Sequence, residues 1–352
     1  MKTSTKKQNP PKGGTLTEEQ IKWLNKCTRG TTWKLNPQTG LVDVDGRFSC
    51  SEQDLSDFKG VRFGVVGGDF YCYRNQLTSL EGAPREVRGH FCCDNNLLTS
   101  LVGAPEKVGW GFSCRDNQLT SLEGAPRKVG KNFDCRNNLL TSLVGAPQEV
   151  RGGFYCENNR LTSLEGAPRE VRGSFSCDNN RLTSLEGAPQ KVGGFHCGNN
   201  LLTSLEGAPR EVEDCFSCNN NRLTSLEGAP REVRGSFGCD NNQLTSLVGA
   251  PQKVGGVFHC EKNRLTSLEG APEKVGWYFL CDDNTVPERT LKSIFSLMRK
   301  GASYEEALRE KWKRYSHKLK SLLYRAEYQW IPQEEHKMLS ALNKVNSVLK
   351  WI

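Results

Sequence analysis

The sequence predicts an α+β repeat solenoid, in which about 12 stacked coils form a parallel sheet with a helical cap at each end. The first observation is the tetrapeptide Leu-Thr-Ser-Leu, which begins at positions 77, 98, 119, 140, 161, 182, 202, 223, 244 and 265. The step is 21 residues except for one step of 20, and a fixed period in this range is typical of solenoids. The second observation is that helical sequence patterns flank the repeats on both sides.

The N-terminal segment has two parts. Residues 1–14 are rich in Lys, Pro and Gly and contain no apolar core of a signal peptide, so we expect a flexible basic N-terminus. Residues 15–46 are predicted to form the N-terminal cap. Within it, Thr17-Glu18-Glu19-Gln20 is a capping box that opens a short helix to about Cys27.

One repeat, Val171 to Pro189, shows how a coil is built. Phe175, Cys177, Asn180, Leu182 and Leu185 follow the spacing L-x-L-x-x-N-x-L, the leucine-rich-repeat signature. Phe-x-Cys is therefore predicted to be a short strand with the middle residue outward. The asparagine should bond backbone groups of neighbouring coils, and the leucines should fill the core. The predicted architecture is a leucine-rich-repeat horseshoe.

The remaining part of each coil is a return segment of about ten residues, too short for a full helix, so we expect it to be extended or single-turn. In the 20-residue repeat, Val192 stands three positions before Phe195, whereas Val171 stands four before Phe175. The other repeats thus carry one extra residue between Val and Phe.

The solenoid is predicted to span residues 47–284 with twelve Phe-x-Cys strands. Two degenerate coils, at Phe48-Ser49-Cys50 and Phe70-Tyr71-Cys72, precede the first perfect repeat, and Phe279-Leu280-Cys281 is the last strand. Residues 285–352 are predicted to be a C-terminal α-helical cap domain. It contains a helix over Leu291 to Lys300, a long amphipathic helix opened by a capping box at Ser303, and a last helix from Pro332.

The repeats resemble the bacterial-type leucine-rich repeats of 20–22 residues. The lead-in Thr39 to Gly46, the phrase Asn-x-Leu-Thr-Ser-Leu-Glu-Gly-Ala-Pro and the helix at Leu291 to Lys300 resemble proteins encoded by tailed bacteriophages and some bacteria. The resemblance covers about residues 36–315 and implies a solenoid of phage origin, without implying an activity. Bacterial effector ubiquitin ligases carry similar repeats before a catalytic Cys domain, but the last cysteine here is Cys281, inside the repeats.

Charge is placed unevenly. The chain carries +8, of which residues 1–45 contribute +4 and residues 285–352 contribute +7, so residues 46–284 carry −3. No stretch approaches the length of about 18 apolar residues that a membrane span needs. We therefore expect a cytoplasmic protein, in the host cytosol if it is phage-encoded, with no membrane interaction.

Most of the 15 cysteines form one column. We interpret it as a set of small hydrophobic side chains beside the larger Phe column, in a reducing compartment. Disulfides are disfavoured because neighbouring side chains point in parallel. The column consists of Cys50, Cys72, Cys93, Cys114, Cys135, Cys156, Cys177, Cys197, Cys218, Cys239, Cys260 and Cys281.

Two patterns resemble chemical sites. Cys215-x-x-Cys218 has the spacing of half a zinc site, but alternation along the strand places Cys218 inward and Cys215 outward. His90, Cys92 and Asp94 alternate on the outward face of one strand, some 6–7 Å apart, which is long for a nucleophile–base pair. We interpret them as varied surface residues. The sequence thus predicts no enzyme, no cofactor, no metal and no small-molecule substrate.

The outward strand positions are where the repeats differ, and this concave face is the predicted protein-binding surface. One column consists of the residue between Phe and Cys in each coil. The column beside it carries arginines in the early coils and acidic residues in the later ones. The predicted binding residues are Tyr71, Arg74, Arg115, Asp134, Arg136, Tyr155, Glu157, Asp178, His196, His259 and Glu261.

The C-terminal helices contain a basic cluster interleaved with aromatic residues, which offers a possible site for nucleic acid or an acidic partner. It consists of Lys311, Lys313, Arg314, Lys318 and Lys320. The sequence therefore favours a non-enzymatic scaffold that engages a host or defence protein through its concave face. A nucleic-acid-associated protein that uses the basic helices, and a structural component of a virion or assembly, are the alternatives.

Overall fold

The computed structural model describes residues 15–28, 30–266, 269–281 and 283–285. The chain divides into two units, Met1–Gly153 and Phe154–Ile352, and in each of them successive coils stack in a parallel-sheet solenoid. The division falls inside the segment 47–284 that was predicted as one solenoid. The predicted N-terminal tail and the helices predicted after Pro287 lie outside the described residues.

The N-terminal cap begins with the helix Glu18–Cys27. The predicted capping box is present: the Thr17 hydroxyl accepts from the Gln20 amide at 3.2 Å, and the Gln20 side chain accepts from the Thr17 amide at 2.9 Å. The helix buries Trp23, whose ring lies 5.5 Å from that of Phe48. The helix therefore covers the open end of the first coil, where core side chains would otherwise meet water.

A short hairpin, which was not predicted, follows the helix. Trp33–Leu35 pairs antiparallel with Val42–Val44, and the latter pairs in parallel with Phe63–Val66. The hairpin thus supplies the first parallel edge from which the following coils continue.

The predicted Phe strands are present in both units. Within each unit they pair in parallel with Phe opposite Phe, and Phe and Cys are buried. The first unit contains Phe48–Ser49, Phe70–Tyr71, Phe91–Cys92, Phe112–Ser113 and Phe133–Asp134. The second contains Phe154–Tyr155, Glu170–Ser176, Lys191–His196, Phe216–Ser217, Phe237–Gly238, Phe258–His259 and Phe279–Leu280.

The return segment of each coil forms a second parallel ladder, which we call the Val strands. The prediction of twelve strands was therefore incomplete: the return is extended, as expected, but it also pairs with neighbouring coils because its backbone groups need partners. In the first unit the Val strands are Val42–Val44, Phe63–Val66, Glu86–Val87, Lys107–Val108, Lys128–Val129 and Glu149–Val150. In the second unit the separate ones are Glu211–Val212, Glu232–Val233, Lys253–Val254 and Lys274–Val275.

In the 20-residue repeat, the Val strand and the Phe strand are continuous and form the single strand Lys191–His196. Lys191–His196 pairs with Glu170–Ser176, and the register shifts between Val171 and Ser174. This shift accommodates the extra residue between Val and Phe that the repeat comparison predicted.

The asparagines form a buried ladder of hydrogen bonds, as predicted. In the second unit, the Asn180 side-chain amide donates to the carbonyls of Cys156, Cys177 and Asp178 at 3.0–3.2 Å. Its Oδ1 accepts from the Leu161 amide at 2.9 Å. Each asparagine thus joins its own coil to the preceding one at the end of the Phe strand.

A tight turn follows each Leu-Thr-Ser-Leu unit. The Ala125 amide donates to the Leu122 carbonyl at 3.0 Å, and Gly124 between them has a φ of 92°. This is the geometry of a type II turn, which favours glycine at its third position. A Cβ on Gly124 would lie 2.5 Å from the backbone of Leu101 in the preceding coil, so both the turn and the stacking require glycine.

Replacing Gly124 with alanine should therefore lower the free energy of unfolding of the first unit by about 2–4 kcal/mol, from backbone strain plus overpacking. Urea denaturation followed by circular dichroism measures the loss. The control is Glu123→Ala, at the exposed neighbouring position, which should change stability by no more than about 0.5 kcal/mol. Equal stabilities of the two variants would contradict this role of the turn.

The cysteine column lies in the core, as predicted, and its thiols also form weak hydrogen bonds. The Cys177 Sγ donates to the His196 carbonyl at 3.3 Å, and Cys218 donates to Gly238 at 3.2 Å. Burial raises the pKa of the Cys218 thiol far above its ordinary value, so it stays protonated at neutral pH. In the described part of the chain, no helix has the length and hydropathy to cross a membrane.

Candidate functional site

The candidate site is the outer face of the Phe strands. We define the strand face in each unit as the outward residues of each coil, from the residue before the Phe to the residue before the ladder asparagine. Most of the middle residues of the Phe-x-Cys strands are half-buried, because each side chain packs between those of neighbouring coils. This face is where the predicted binding residues of the described chain lie, and their role in binding stays a prediction.

An aromatic and arginine cluster occupies the strand face at the start of the first unit. The Arg47 guanidinium lies over the Tyr71 ring, 4.7 Å from its centroid, and the Tyr73 ring lies 6.2 Å away from that of Tyr71. Arg74 is exposed and bonds Glu52 at 2.9 Å. A tyrosine and arginine cluster of this kind is typical of binding hot spots.

The prediction that Arg74 shares a column with Arg115 and Arg136 is wrong. It lies one position further along, at the residue of positive φ (52°) that precedes the ladder asparagine. The residue of this coil that aligns with Arg115 is Tyr73. The error concerns Arg74 alone, since Phe70, Cys72 and Asn75 of the same coil lie where the repeat predicts them.

The expectation that the early coils are basic is wrong. Arg115 bonds Asp94 at 3.0 Å, and Arg136 bonds Asp134 at 2.6 Å. Asp94 is buried, accepts a 2.6 Å bond from the Ser113 hydroxyl, and has a pKa raised by burial. Each predicted arginine of this face thus has a carboxylate partner, which neutralises its charge and holds it in one orientation.

The second unit carries the acidic part of the strand face. Asp178 accepts a 2.5 Å bond from the Gly198 amide and a 3.3 Å bond from the Ser176 hydroxyl, and burial raises its pKa. Tyr155, Glu157 and His196 lie half-buried along the same face. Further along the unit, Asp240 and Glu261 continue the acidic column, as predicted.

His259 and Glu261 form an ion pair in this acidic column. His259 Nδ1 lies 3.2 Å from Glu261 Oε1, and the Glu261 side chain is only 7% exposed. The hydrogen bond to Glu261 raises the pKa of His259, and the charges of Glu261 and Asp240 act in the same direction, whereas burial lowers it.

We expect the pKa of His259 to lie above the ordinary histidine value and to fall in Glu261→Gln, which removes the charged acceptor. Because the pKa is raised in the folded state, the pair stabilises the fold below the unfolded-state pKa, and this contribution is lost as pH rises through the folded-state pKa. A histidine-ring NMR titration measures the shift. Asp240→Asn is the control and should lower the pKa by less, and an unchanged pKa in Glu261→Gln would contradict the pairing.

The members of the His90, Cys92 and Asp94 pattern lie in three different environments. Burial raises the pKa of Cys92 to about 12, so its thiol is not an activated nucleophile. His90 Nδ1 accepts from the Gly111 amide at 3.2 Å, and its ring packs against Trp110 at 5.4 Å. Asp94, however, is a buried ion-pair partner rather than a varied surface residue.

The paired cysteines face different environments, as alternation predicted. Cys218 is fully buried, whereas Cys215 is partly exposed and lies 3.4 Å from the Asp214 carboxylate. Among the described residues, no group of three or more His, Cys, Asp or Glu side chains is placed to hold a metal ion.

Sequence reasoning missed three parts of the strand face. Arg47 lies before the first Phe strand and was not considered. Asp94 was interpreted as a varied surface residue, and its place in the column of Arg115 was not noted. Gly238 interrupts the outward column and leaves a notch beside His259; the glycine is visible in the sequence, but the notch was not predicted from it.

The basic cluster Lys311, Lys313, Arg314, Lys318 and Lys320 lies outside the described residues. Its proposed contacts with nucleic acid or an acidic partner stay a prediction.

The chain is similar to two solved YopM structures. YopM from Yersinia enterocolitica WA-314 is 16% identical, with a TM-score of 0.42, over 68% of this chain and 69% of that chain. YopM from Yersinia pestis, a leucine-rich effector protein, is 17% identical, with a TM-score of 0.43, over 79% and 85% respectively. Neither a protein-family model nor a curated protein sequence matches the chain. Functional inference therefore depends on the residues of this chain.

Proposed function

We propose that this chain is a non-enzymatic scaffold that binds a protein partner through its strand face. The observation that carries the proposal is the contrast between core and face. Phe, Cys, Asn and Leu repeat in nearly every coil and are buried, whereas the half-exposed positions beside them change from coil to coil. A face that differs at each step, held on a rigid repeated core, is suited to recognising a specific protein surface.

The two units supply different chemistry for such recognition. The first offers Arg47, Tyr71 and Tyr73 in contact, with arginines held by carboxylates. The second offers an acidic column around Asp240 and Glu261. Oriented arginines and tyrosines supply anchors, and carboxylates select for basic groups on a partner.

The resemblance of the repeats to phage-encoded proteins supports a further part of the proposal. We propose that the chain is phage-encoded, acts in the cytosol of a bacterial host, and engages a host or defence protein. The genes that surround its own test the origin, because phage structural and replication genes should flank it.

Affinity capture from bacterial lysate, with and without nuclease, tests the binding function. We expect a partner that survives nuclease treatment and is lost in Tyr71→Ala or Tyr155→Ala, which truncate the strand face. The matched control is Glu227→Ala, at the exposed turn that follows a Leu-Thr-Ser-Leu unit. Capture that disappears entirely with nuclease would contradict the proposal and favour a nucleic-acid-associated protein.

The contribution of the C-terminal basic cluster is tested separately. Charge reversal at Lys313, Arg314 and Lys318 should leave nuclease-resistant capture intact if the strand face carries binding. Loss of capture in this variant, with capture retained in the strand-face variants, would move the interface to the C-terminal cluster.

A further inference from the structure

A notch of about 330 Å³ opens on the strand face of the second unit where the outward column lacks a side chain. Gly238 pairs with Ser217 on one side and with His259 on the other, so the space lies between these two side chains. A Cβ on Gly238 would lie 3.6 Å from Ser217 Oγ, which is ordinary contact. Neither backbone conformation nor crowding therefore requires glycine at position 238. The absence of a side chain there leaves the notch open.

Glu261 lines this notch and is buried, with 5% of its surface exposed. One carboxylate oxygen, Oε1, pairs with His259 Nδ1, but Oε2 has no hydrogen-bond partner among the residues that the structure describes. A buried carboxylate oxygen without a donor is unfavourable, because the group has lost its water and gained no replacement. Glu261 thus places at the wall of the notch an acceptor that no group of the described residues satisfies.

The notch is also lined by a second carboxylate, Asp240, and by side chains that can donate as well as accept. Asp240 Oδ2 accepts from Asn241, and Oδ1 lies 3.7 Å from the position of a Gly238 Cβ, on the notch side. Ser217 Oγ and Asn219 Oδ1 lie 2.7 Å apart on the neighbouring strand. Lys262 also lines the notch, and its side chain is exposed.

We propose that this notch receives one arginine side chain of the partner protein. Asp240 and Glu261 both line this small space, and the Glu261 oxygen without a partner is best matched by a positively charged group that carries several donors. A guanidinium provides five donors in a plane and no acceptor, and it binds carboxylates with two parallel hydrogen bonds. The proposal rests on the proposed function, since it names a group on the same partner.

The notch can be tested without the partner. The full chain is titrated with N-acetyl-arginine methylamide, and with the neutral N-acetyl-citrulline methylamide at matched chloride, while amide NMR signals of Gly238 and His259 are followed. We expect saturable shifts with the arginine probe and affinity about tenfold weaker or more with citrulline, because the charge-assisted bonds are lost.

Two variants locate the binding. Glu261→Gln removes the charge of the buried acceptor, and Gly238→Val fills the notch without a backbone clash; each should weaken the arginine probe by about tenfold or more. Glu227→Gln and Glu123→Gln, at exposed turns of the second and first units away from the strand face, are the matched controls and should bind as the unaltered chain does. Equal binding of both probes, or unchanged binding in both notch variants, would overturn the proposal.

The two proposals can fail separately. Nuclease-resistant capture that depends on the strand face, together with no saturable arginine binding, would overturn the notch and leave protein binding standing. Saturable arginine binding that both notch variants weaken, together with no nuclease-resistant capture, would support the notch and overturn the proposed function. A captured partner whose affinity is unaffected by Gly238→Val would overturn the assignment of the notch to that partner's arginine.

Discussion

Replacing Asn180 with alanine is expected to lower the free energy of unfolding of the second unit by about 3–5 kcal/mol. The Asn180 side chain is buried and joins three carbonyls and one amide of two coils. Alanine would leave the Leu161 amide without its acceptor, whereas the carbonyls of Cys156, Cys177 and Asp178 would each lose one of two donors. The unpaired amide costs about 1–3 kcal/mol, and each of the three lost hydrogen bonds adds about 0.5–1.5 kcal/mol.

Chemical denaturation together with hydrogen exchange measures this effect. Stability in repeat proteins is the sum of coil stabilities and interfaces between neighbours, so exchange should increase first in the coils that contain Cys156 and Cys177. Arg181→Ala is the matched control, since its side chain is exposed beside the same turn, and it should change stability by no more than about 0.5 kcal/mol. Similar losses in the two variants would show that the asparagine ladder does not stabilise the stack.

Replacing Phe175 with alanine should cost about 3–5 kcal/mol, which is the usual cost of truncating a buried phenylalanine. The ring is fully buried and stacks between Phe154 and Phe195, with centroids 5.3 and 5.7 Å away. Truncation therefore removes ring contacts on both faces and leaves a cavity between two coils. The denaturation midpoint of the second unit reports the loss.

Phe175→Leu separates burial from stacking. Leucine keeps most of the apolar volume, so we expect it to lose less stability than alanine does. Cys177→Ala is a second comparison within the same strand, because it removes only a small side chain and one weak sulfur hydrogen bond. An alanine variant at Phe175 that is as stable as the cysteine variant would contradict a dominant role for the Phe column.

The repeat made the inside of each coil predictable. Because nearly identical coils stack on one another, a given position of the repeat has the same environment in every coil. The 21-residue period therefore predicts the burial of Phe175 and Cys177 and the bonds of Asn180 to the preceding coil. The helix Glu18–Cys27 was predictable for a local reason, since its capping box lies within four consecutive residues.

The strand face was less predictable, because its contacts depend on which residues of adjacent coils meet. Arg115 meets Asp94 one coil away, so the basic column expected from residue types is neutralised. A register error of one position at Arg74 was enough to place it in the wrong column. The notch at Gly238 depends on the missing side chain of one coil and on the burial of Glu261 in the next. Neither residue type predicts this combination by itself.

The sequence by itself determined that each unit is a stack of coils of about 21 residues, with Phe, Cys, Asn and Leu inside and the variable residues outside. That information is repeated in every coil, and each buried position is specified by hydrophobicity and period. The tertiary structure decided the second ladder of Val strands, the pairing of the arginines, and the unpaired carboxylate oxygen of Glu261. These features depend on distances between side chains of different coils, and such distances exist only once the chain has stacked.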